Sequence, residues 1–305
     1  PSRLPLPSLL PKPKPKPQPH PPSPGTTQPP SPKPPPLGLN ANFHNLQLGE
    51  EENEVGAEDV QRLIEEAKQK RDEIRKADLT WLADQQKKGE ILHPSLTAVS
   101  PRFTFLSKGK FEFMGRSVLK RLTDCVNDAN ASDGNKVVIN VMGTKFYGKS
   151  HLIAAFVLQQ MQAYFNGSAN ARPILFLPKC GDLAEYQAVY LKRAMLLAFS
   201  VDEKQLAEIA TLPAETNALL TWLSNRVFDV AADQGNDIHE KNWLSDNQQQ
   251  AAKGILRSLK QMVSDHKCCI VTGYSANNEI MTVKFYKERT EVDLLFYGGL
   301  EGEVW

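Results

Sequence analysis

The stretch KVVINVMGTKFYGKS, residues 136–150, decides the fold. Its first seven residues are mostly β-branched and apolar and predict a buried strand. Residues 143–150 follow as a glycine-bounded loop, and the apolar pattern from His151 to Phe165 predicts a helix that ends at Asn166-Gly167. A strand, a glycine-bounded turn and a helix N-terminus in this order predict a phosphate-binding loop.

The residue types within this loop fit the phosphates of a nucleotide. Gly143 and Gly148 let backbone N–H groups curl around anionic oxygens without a clashing Cβ. Lys149 is expected to reach the β- and γ-phosphates, and Ser150 to supply a hydroxyl to Mg²⁺. A glycine turn with an incidental lysine is the alternative interpretation. We therefore predict that ATP (or GTP) and Mg²⁺ bind at Gly143, Thr144, Lys145, Phe146, Tyr147, Gly148, Lys149 and Ser150.

The rest of the chain alternates between strand and helix patterns. Strands separated by helices indicate an α/β fold, that of a P-loop NTPase with a mostly parallel sheet covered by helices on both faces. The predicted strands are 102–106, 111–114, 136–142, 173–177, 226–232 and 267–272. The predicted helices are 58–88, one through Cys125 to about residue 130, 151–165, 183–198, segments within 202–222, and 246–265.

Hydrolysis also needs an acidic residue that holds Mg²⁺ and positions the attacking water, at the end of a neighbouring strand. The segment VFDVAADQ, residues 227–234, is the candidate, with Asp233 at the strand exit. Asp229 interrupts the apolar run and would need a partner or a bulge, so a surface helix is the alternative. Gln234 can orient water but cannot accept its proton, which predicts slow turnover. Lys149, Asp233 and Gln234 are thus the predicted catalytic residues, and Ser150 and Asp233 the predicted magnesium residues.

Other polar residues are candidates for contact with the nucleotide. Ser275 and Asn277 follow the last predicted strand, where a polar side chain can touch the γ-phosphate; a plain turn is the alternative. His151 is either a phosphate contact or an ordinary member of the first helical turn. Arg257 and Arg289 are candidate arginine fingers, although solvated surface arginines are the simpler interpretation.

The N-terminal region has a different composition. Seventeen of the 22 prolines lie in the first 36 residues, which cannot bury a core. Proline fixes φ and removes the backbone donor, so residues 1–56 are predicted to be a disordered proline-rich linker. PxxP matches allow an SH3-like or WW-like partner as the functional alternative. A helix ended by Gly89 and a connector are assigned to 57–100, and the NTPase domain, which need not be complete at its C-terminus, to 101–305.

Charge and cysteine content set few limits on function. A formal net charge of +1 gives no global reason to expect nucleic acid or an acidic membrane as partner. The four cysteines lack CxxC spacing and lie in or beside apolar runs, which indicates buried thiols rather than a zinc site or disulfides. No run of about 18 apolar residues occurs, so no transmembrane segment is predicted.

Seven sequence blocks occur in a particular order: GKFEFMGR (109–116), GKSH (148–151), LFLPKC (175–180), YLKRAMLLAF (190–199), DQGN (233–236), SANN (275–278) and GGL (298–300). In these blocks the chain resembles the NTPase domain of Crinkler-type effectors, proteins of oomycetes and some fungi, over about residues 100–305. The resemblance implies a domain related to signalling-type P-loop NTPases, with Asp233 as the magnesium acid. It also implies secretion, delivery into a host cell and an intracellular site of action, with a C-terminal nuclease-like domain contacting host protein or nucleic acid.

Two features depart from that family. The family's ubiquitin-like N-terminal delivery module is not recognisable, and the proline tract stands in its place. A nuclease-like domain is not recognisable before Trp305. The expectation of secretion and host action therefore rests on the resemblance alone.

Three functional hypotheses follow. The first is slow Mg²⁺-dependent hydrolysis of a nucleoside triphosphate, as the regulatory module of a Crinkler-like effector. The second is a nucleotide-binding switch or scaffold that does not hydrolyse, which Gln234 favours. The third is a small-molecule kinase, which predicts an arginine-rich lid; residues 183–222 contain only Arg193, so this hypothesis ranks last.

Overall fold

The computed structural model describes residues 57–97, 109–131, 137–143, 148–234, 245–266, 268–273 and 291–296. All of them belong to a unit that runs from Asn53 to Trp305. The strands are β1 (Lys88–Leu92), β2 (Lys110–Met114), β3 (Val137–Gly143), β4 (Ile174–Leu177), β5 (Asp229–Ala232), β6 (Cys269–Gly273) and β7 (Glu291–Phe296). The helices are α1 (Ala57–Lys76), α2 (Ser117–Ala131), α3 (Lys149–Phe165), α4 (Cys180–Ala198), α5 (Glu203–Thr211), α6 (Thr216–Leu223) and α7 (Asp246–Asp265). The predicted proline-rich linker and the predicted strand 102–106 lie outside the described residues.

Five of the strands form one sheet in the order β4-β5-β6-β3-β7. Each neighbouring pair in this sheet is parallel, whereas β1 and β2 form a separate antiparallel pair. Every residue of β4, β5 and β6 is buried, which is what a parallel sheet covered on both faces requires. The predicted α/β fold with a parallel sheet is confirmed.

Alternate strand residues enter two separate cores, one on each face of the sheet. One core contains Leu175, Val230 and Ile270 together with side chains from α4 to α7. The other contains Phe176 and Val271 together with side chains from α2, α3, β1 and β2. Because successive side chains of a strand point to opposite faces, these two cores show that helices cover both faces, as predicted.

The helix predicted over 58–88 is too long, because α1 ends at Lys76. Just beyond it, the Asp78 carboxylate accepts hydrogen bonds from the backbone N–H (3.1 Å) and hydroxyl (2.7 Å) of Thr80. A side chain bonded in this way stabilises a turn in competition with the helix. Gln162 of α3 also donates to the carbonyl oxygen of Ala77 (2.6 Å) in this turn. These contacts are made by side chains, so helical periodicity alone does not show where α1 stops.

Gly89 does not end a helix but lies within β1. A Cβ on Gly89 would come within 2.9 Å of the indole of Trp81, so the strand passes directly over this ring. Trp81 in turn packs against Phe113 of β2, with ring centroids 6.2 Å apart. The segment after α1 therefore packs on the β1–β2 pair instead of continuing as a helix.

Most other elements lie close to their predicted positions. α3 ends at Phe165, with Asn166 as its C-cap and Gly167 following at a φ of 76°, as the sequence predicts. α3 is buried continuously from Leu152 to Leu158, because it lies between the sheet and the β1–β2 pair. The strand β7, beside β3, is absent from the sequence-based prediction. None of the helices in the described ranges has the length and hydropathy needed to cross a membrane.

Candidate phosphate-binding site

The carboxyl ends of β3, β6 and β5 lie at one edge of the sheet because these strands are parallel. β3 ends at Gly143, β6 ends at Gly273, and Asp233 directly follows β5. α3 begins at this same edge, with five residues between the end of β3 and Lys149. Residues that are far apart in the sequence therefore meet where ligands bind in open α/β sheets.

The start of α3 has the backbone geometry of an anion site. Gly148 precedes the helix at φ 72° and ψ 25°, in the left-handed region that favours glycine. The first helical hydrogen bond runs from Leu152 N to Gly148 O (3.0 Å), so the N–H groups of residues 149–151 point out of the open end of the helix. The helix dipole adds positive potential there. Lys149 and Ser150 keep only 8% and 9% of their surface exposed, so both residues are buried at the edge of the sheet where α3 begins.

Asp233 lies at the exit of β5, as predicted, and it is buried. Its backbone N–H donates to Leu177 O (2.9 Å), and its carbonyl accepts from Cys180 N (3.2 Å), which ties it to the end of β4. Its carboxylate lies directly against Gly273 and near Ile153 of α3: a Cβ on Gly273 would overlap one carboxylate oxygen and lie 2.5 Å from Ile153 Cδ1. Asp233 is therefore beside the first turns of the helix that carries Lys149 and Ser150.

The prediction that this acid lies on a strand neighbouring β3 is wrong. β6 lies between β3 and β5 in the sheet. Asp233 lies close to α3 because the intervening strand ends in Gly273, which has no side chain to fill the space.

Gln234 follows Asp233 and is 4% exposed. Its φ is 59°, in the left-handed region that favours glycine. This conformation costs a residue with a Cβ about 1–2 kcal/mol. Strain of this kind is concentrated at functional sites, where the surrounding structure holds it in place. Gln234 therefore occupies a fixed position next to the predicted magnesium acid.

Asp229 has the partner that its burial requires. Its carboxylate accepts a hydrogen bond from the backbone N–H of Cys269 (2.7 Å), the first residue of β6. Asp229 is the first residue of β5, so it lies at the opposite edge of the sheet from Asp233. The alternative that this segment is a surface helix is wrong, because all four residues of β5 are buried in the sheet. Asp229 thus has a structural role in joining two strands.

A second buried polar contact joins the strands behind the loop. The hydroxyl of Thr272 donates to Asn140 Oδ1 (2.6 Å), and the two residues are direct partners in the β3–β6 register. Both side chains are buried. This bond fixes β6 against the strand that leads into the phosphate loop.

His151 packs its ring edge-on against Phe111 of β2, with centroids 5.3 Å apart. Burial, and then the charge of Arg116, lower the pKa of His151 to about 4. The imidazole is therefore neutral at physiological pH, and its side chain would contribute no full charge to a bound phosphate. Its backbone N–H remains at the open end of α3.

Sequence reasoning missed Arg116 as a residue of this site. Its guanidinium packs on Gly148: a Cβ on that glycine would lie 2.5 Å from Nη2 of Arg116. Gly115 and Arg116 immediately precede α2 and end the block GKFEFMGR, one of the blocks that carry the Crinkler resemblance. That block is the feature of the sequence that could have pointed to Arg116.

The remaining candidates are Arg257, Gly143 and a group of residues outside the described ranges. Arg257 lies on an exposed position of α7, which fits a solvated arginine. Gly143 is described as the last residue of β3. Outside the described residues lie Thr144, Lys145, Phe146, Tyr147, Ser275, Asn277 and Arg289. Their predicted roles stay predictions.

These residues fit a nucleotide with Mg²⁺. Mg²⁺ in proteins keeps several waters and takes one or two protein oxygens together with substrate phosphates, so it needs no dedicated cage. Ser150 and Asp233 can supply such oxygens at the open end of α3. Accordingly, the described residues contain no group of three or more His, Cys, Asp or Glu side chains that could hold a metal ion, and a site of this kind does not require one.

Comparison with known proteins gives few matches. No protein-family model and no curated protein matches the chain. One matching solved structure is a DNA replication initiation factor, with 12% sequence identity and a TM-score of 0.33, over 65% of this chain and 51% of that chain. Another is the Drosophila ORC bound to poly(dA/dT) DNA and Cdc6, with 15% identity and a TM-score of 0.33, over 85% of this chain and 35% of that chain. The chain thus spans about half of the first protein and about a third of the second.

β3, the glycine-bounded sequence 143–148 and α3 follow one another within a five-stranded parallel sheet. The chain has the α/β fold of the P-loop NTPases.

Proposed function

We propose that this chain binds a nucleoside triphosphate, ATP or GTP, and hydrolyses it slowly with Mg²⁺. The observation that carries the proposal is the meeting of buried Lys149 and Ser150, at the open end of α3, with buried Asp233 at the same edge of the sheet. Phosphoryl transfer needs positioning and electrostatic stabilisation more than covalent chemistry from the protein. A cation, a hydroxyl and a carboxylate held rigidly around a helix N-terminus are suited to both.

Each residue has a defined task in this proposal. Backbone N–H groups at the start of α3 and the Lys149 ammonium bind the β- and γ-phosphates. When bound, Mg²⁺ would neutralise charge on the β- and γ-phosphate oxygens. Ser150 would hold it directly, and Asp233 would hold it through water. Gln234 orients the attacking water with its amide but cannot remove the proton, so the rate stays low.

Phosphate release by the purified full chain tests this proposal. We expect turnover by the wild type in Mg²⁺ and its loss in EDTA, in Lys149→Ala and in Asp233→Asn. Lys204→Ala and Asp265→Asn are matched controls, because both residues are exposed: Lys204 lies in the first turn of α5, and Asp265 ends α7, which leads to the start of β6 at the opposite edge of the sheet. Both should retain wild-type turnover. Release by wild type at the rate of Lys149→Ala would refute hydrolysis.

Gln234 favours a second candidate, a switch that holds nucleotide without cleaving it. The residue is buried and fixed in a strained backbone conformation, yet it lacks a group that could act as a general base. Gln234→Glu separates the two functions. If slow hydrolysis is native, glutamate should raise the rate above a measurable wild-type rate. Nucleotide binding with no release in the wild type, together with turnover in Gln234→Glu, would instead support the switch.

The finer part of the proposal is a regulatory role in a Crinkler-like effector. Its support is that three of the family-like blocks contribute residues to this one edge: Arg116, residues 148–151 and Asp233. In that role, nucleotide binding alters the flanking regions. Hydrogen–deuterium exchange of the chain with and without ATP tests it: we expect changed protection in residues 57–116 as well as in the loop. Changes confined to the loop would contradict a regulatory role.

A further inference from the structure

Arg116 is held at a fixed place between β2 and α2. Its backbone N–H donates to Leu82 O (2.9 Å), and that of Gly115 donates to Lys87 O (2.9 Å). A Cβ on Gly115 would overlap the carbonyl of Asp84, so the chain passes too close at this point for any side chain. The turn after α1 therefore fixes the backbone from which the Arg116 side chain extends.

The guanidinium of Arg116 lies against the first turn of α3. From the Cβ position of Gly148, Nη2, Nη1 and Cζ of Arg116 would be 2.5, 3.1 and 3.2 Å away, so the whole planar group packs on this glycine. Its charge also contributes to the lowered pKa of His151, which places it near that ring. Arg116 thus lies beside residues 148–151, at the N-terminal end of α3.

The guanidinium of Arg116 lies at the same end of α3 as Lys149. Arginine stays protonated in proteins, even where burial lowers its pKa as it does for Arg116. A cation at a helix N-terminus is unfavourable because of the helix dipole, and Lys149 lies at the same end. A phosphate bound there would lie at the positive end of the dipole and beside both cations. The planar fork of arginine also matches phosphate oxygens better than a lysine ammonium does.

Arg116 and Asp233 lie on opposite sides of α3. His151 and Ile153 are two residues apart, so their side chains point about 200° apart around a helix of 3.6 residues per turn. Ile153 faces Gly273 and Asp233, whereas His151 faces the side of Arg116. The magnesium acid and this arginine therefore flank the end of the helix from two sides.

From this arrangement we propose that Arg116 binds the phosphate chain of the nucleotide on the side away from Asp233 and Mg²⁺. The inference rests on the nucleotide-binding function proposed above. Its consequence is specific: Arg116 contributes affinity for nucleoside diphosphate and triphosphate alike, and does so without a metal ion. Arg116 would then join the β1–β2 region to the bound nucleotide through a single side chain.

Titration of fluorescent ADP and ATP analogues, each in Mg²⁺ and in EDTA, tests the proposal with the full chain. A hydrogen bond to a charged group is worth about 1.5–3 kcal/mol, which corresponds to about 10- to 100-fold in Kd. Arg116→Gln should weaken all four measurements by this factor. Asp233→Asn should weaken only those in Mg²⁺. Unchanged affinity in Arg116→Gln, or a loss confined to Mg²⁺ or to the triphosphate, would overturn the proposal.

Two controls separate binding from folding. Arg172→Gln is matched, because Arg172 is also partly buried but lies before β4 at the other edge of the sheet, 3.4 Å from Cys268 Sγ; it should bind nucleotide as wild type does. Melting of each variant without nucleotide reports its fold. If Arg116→Gln is unfolded, Arg116→Lys takes its place, because lysine keeps the charge but lacks the planar fork. We then expect a smaller loss of affinity that is equal in all four measurements. Unchanged affinity in Arg116→Lys would overturn the proposal.

The outcomes also distinguish this inference from the function on which it rests. A wild-type chain that binds neither nucleotide refutes both. Binding by wild type and by Arg116→Gln with equal affinity, together with loss in Lys149→Ala, refutes the role of Arg116 alone.

Discussion

Replacement of Gly273 by alanine tests the packing that brings Asp233 to the phosphate loop. The new Cβ would overlap an Asp233 carboxylate oxygen and lie 2.5 Å from Ile153 Cδ1. Asp233 is 4% exposed and Ile153 is fully buried, so neither side chain can move aside without disturbing the core. Gly273 does not have a positive φ, so its backbone accepts alanine and the cost comes from packing. An extra methyl group in a packed core costs about 1–3 kcal/mol of unfolding free energy, and we expect a loss in this range.

In Gly273→Ala, the rate of phosphate release should fall more than the loss of unfolding free energy alone would explain. The overlap pushes the Asp233 carboxylate away from the end of α3, and a shift of about 1 Å at a reacting centre can lower a rate about 100-fold. We therefore expect Gly273→Ala to lose Mg²⁺-dependent phosphate release. Nucleotide binding in EDTA should persist, because Lys149 and the helix N-terminus are unchanged.

A second substitution makes the argument quantitative. Ile153→Val removes Cδ1, one of the two atoms that the new methyl group meets, and by itself costs about 0.5–1.5 kcal/mol. In the double variant this space accepts the methyl group, so the loss should be smaller than the sum of the two single losses. Gly254→Ala is the control: this glycine lies in α7 with nothing within 4 Å of the added Cβ, and alanine there should stabilise the chain by about 1 kcal/mol.

Urea unfolding of the four variants, followed by circular dichroism, gives the comparison. Wild-type stability in Gly273→Ala would refute the packing described here. Simple additivity with Ile153→Val would show that the two side chains do not share this space.

Three further predictions concern other buried groups. Burial, and then the charge of Lys70, lower the pKa of His93 to about 3. Below about pH 6.5 the unfolded state binds this proton and the folded state does not, so about 1.5 kcal/mol of stability is lost between pH 6.5 and 5. His93→Gln should flatten this loss in urea unfolding, and an unchanged pH dependence would contradict it. Asp229→Ala leaves a buried N–H at the start of β6 without its acceptor and should cost about 1–3 kcal/mol in the same assay, more than Asp229→Asn. Gly148→Ala should lose about 1–2 kcal/mol of unfolding free energy through left-handed backbone strain, and its new Cβ should also clash with the guanidinium of Arg116. Gly167→Ala has the same sign of φ but open space, so it should show the strain alone and leave nucleotide affinity unchanged.

The sequence was sufficient where the relevant residues are contiguous. β3, the start of α3 and its end at Phe165 all follow from one stretch in which the apolar period changes from strand to helix across two glycines. The position of Asp233 at a strand exit follows from a short apolar run in the same way. Local patterns of this kind depend on the backbone and its immediate neighbours, which the sequence displays directly.

Features that depend on long-range contacts could not be predicted. The end of α1 depends on Gln162, which reaches it from α3, and on a turn around Asp78. The place of Arg116 beside Gly148 depends on how the turn after α1 packs on the β1–β2 pair. No periodicity or motif within either segment contains this information.

The strand order explains why the predicted neighbour relation failed and why Gly273 matters. The chain visits β3, β4, β5 and β6 in turn, but the sheet places β6 between β3 and β5. An acid on β5 must therefore reach the phosphate loop across the tip of β6. Val271 and Gly273 share the face of β6 that carries α3, since strand side chains alternate, and a side chain at 273 would occupy the space of the Asp233 carboxylate. A larger residue at 273 and a functional carboxylate at 233 thus exclude each other, so the two positions act as one unit although forty residues separate them.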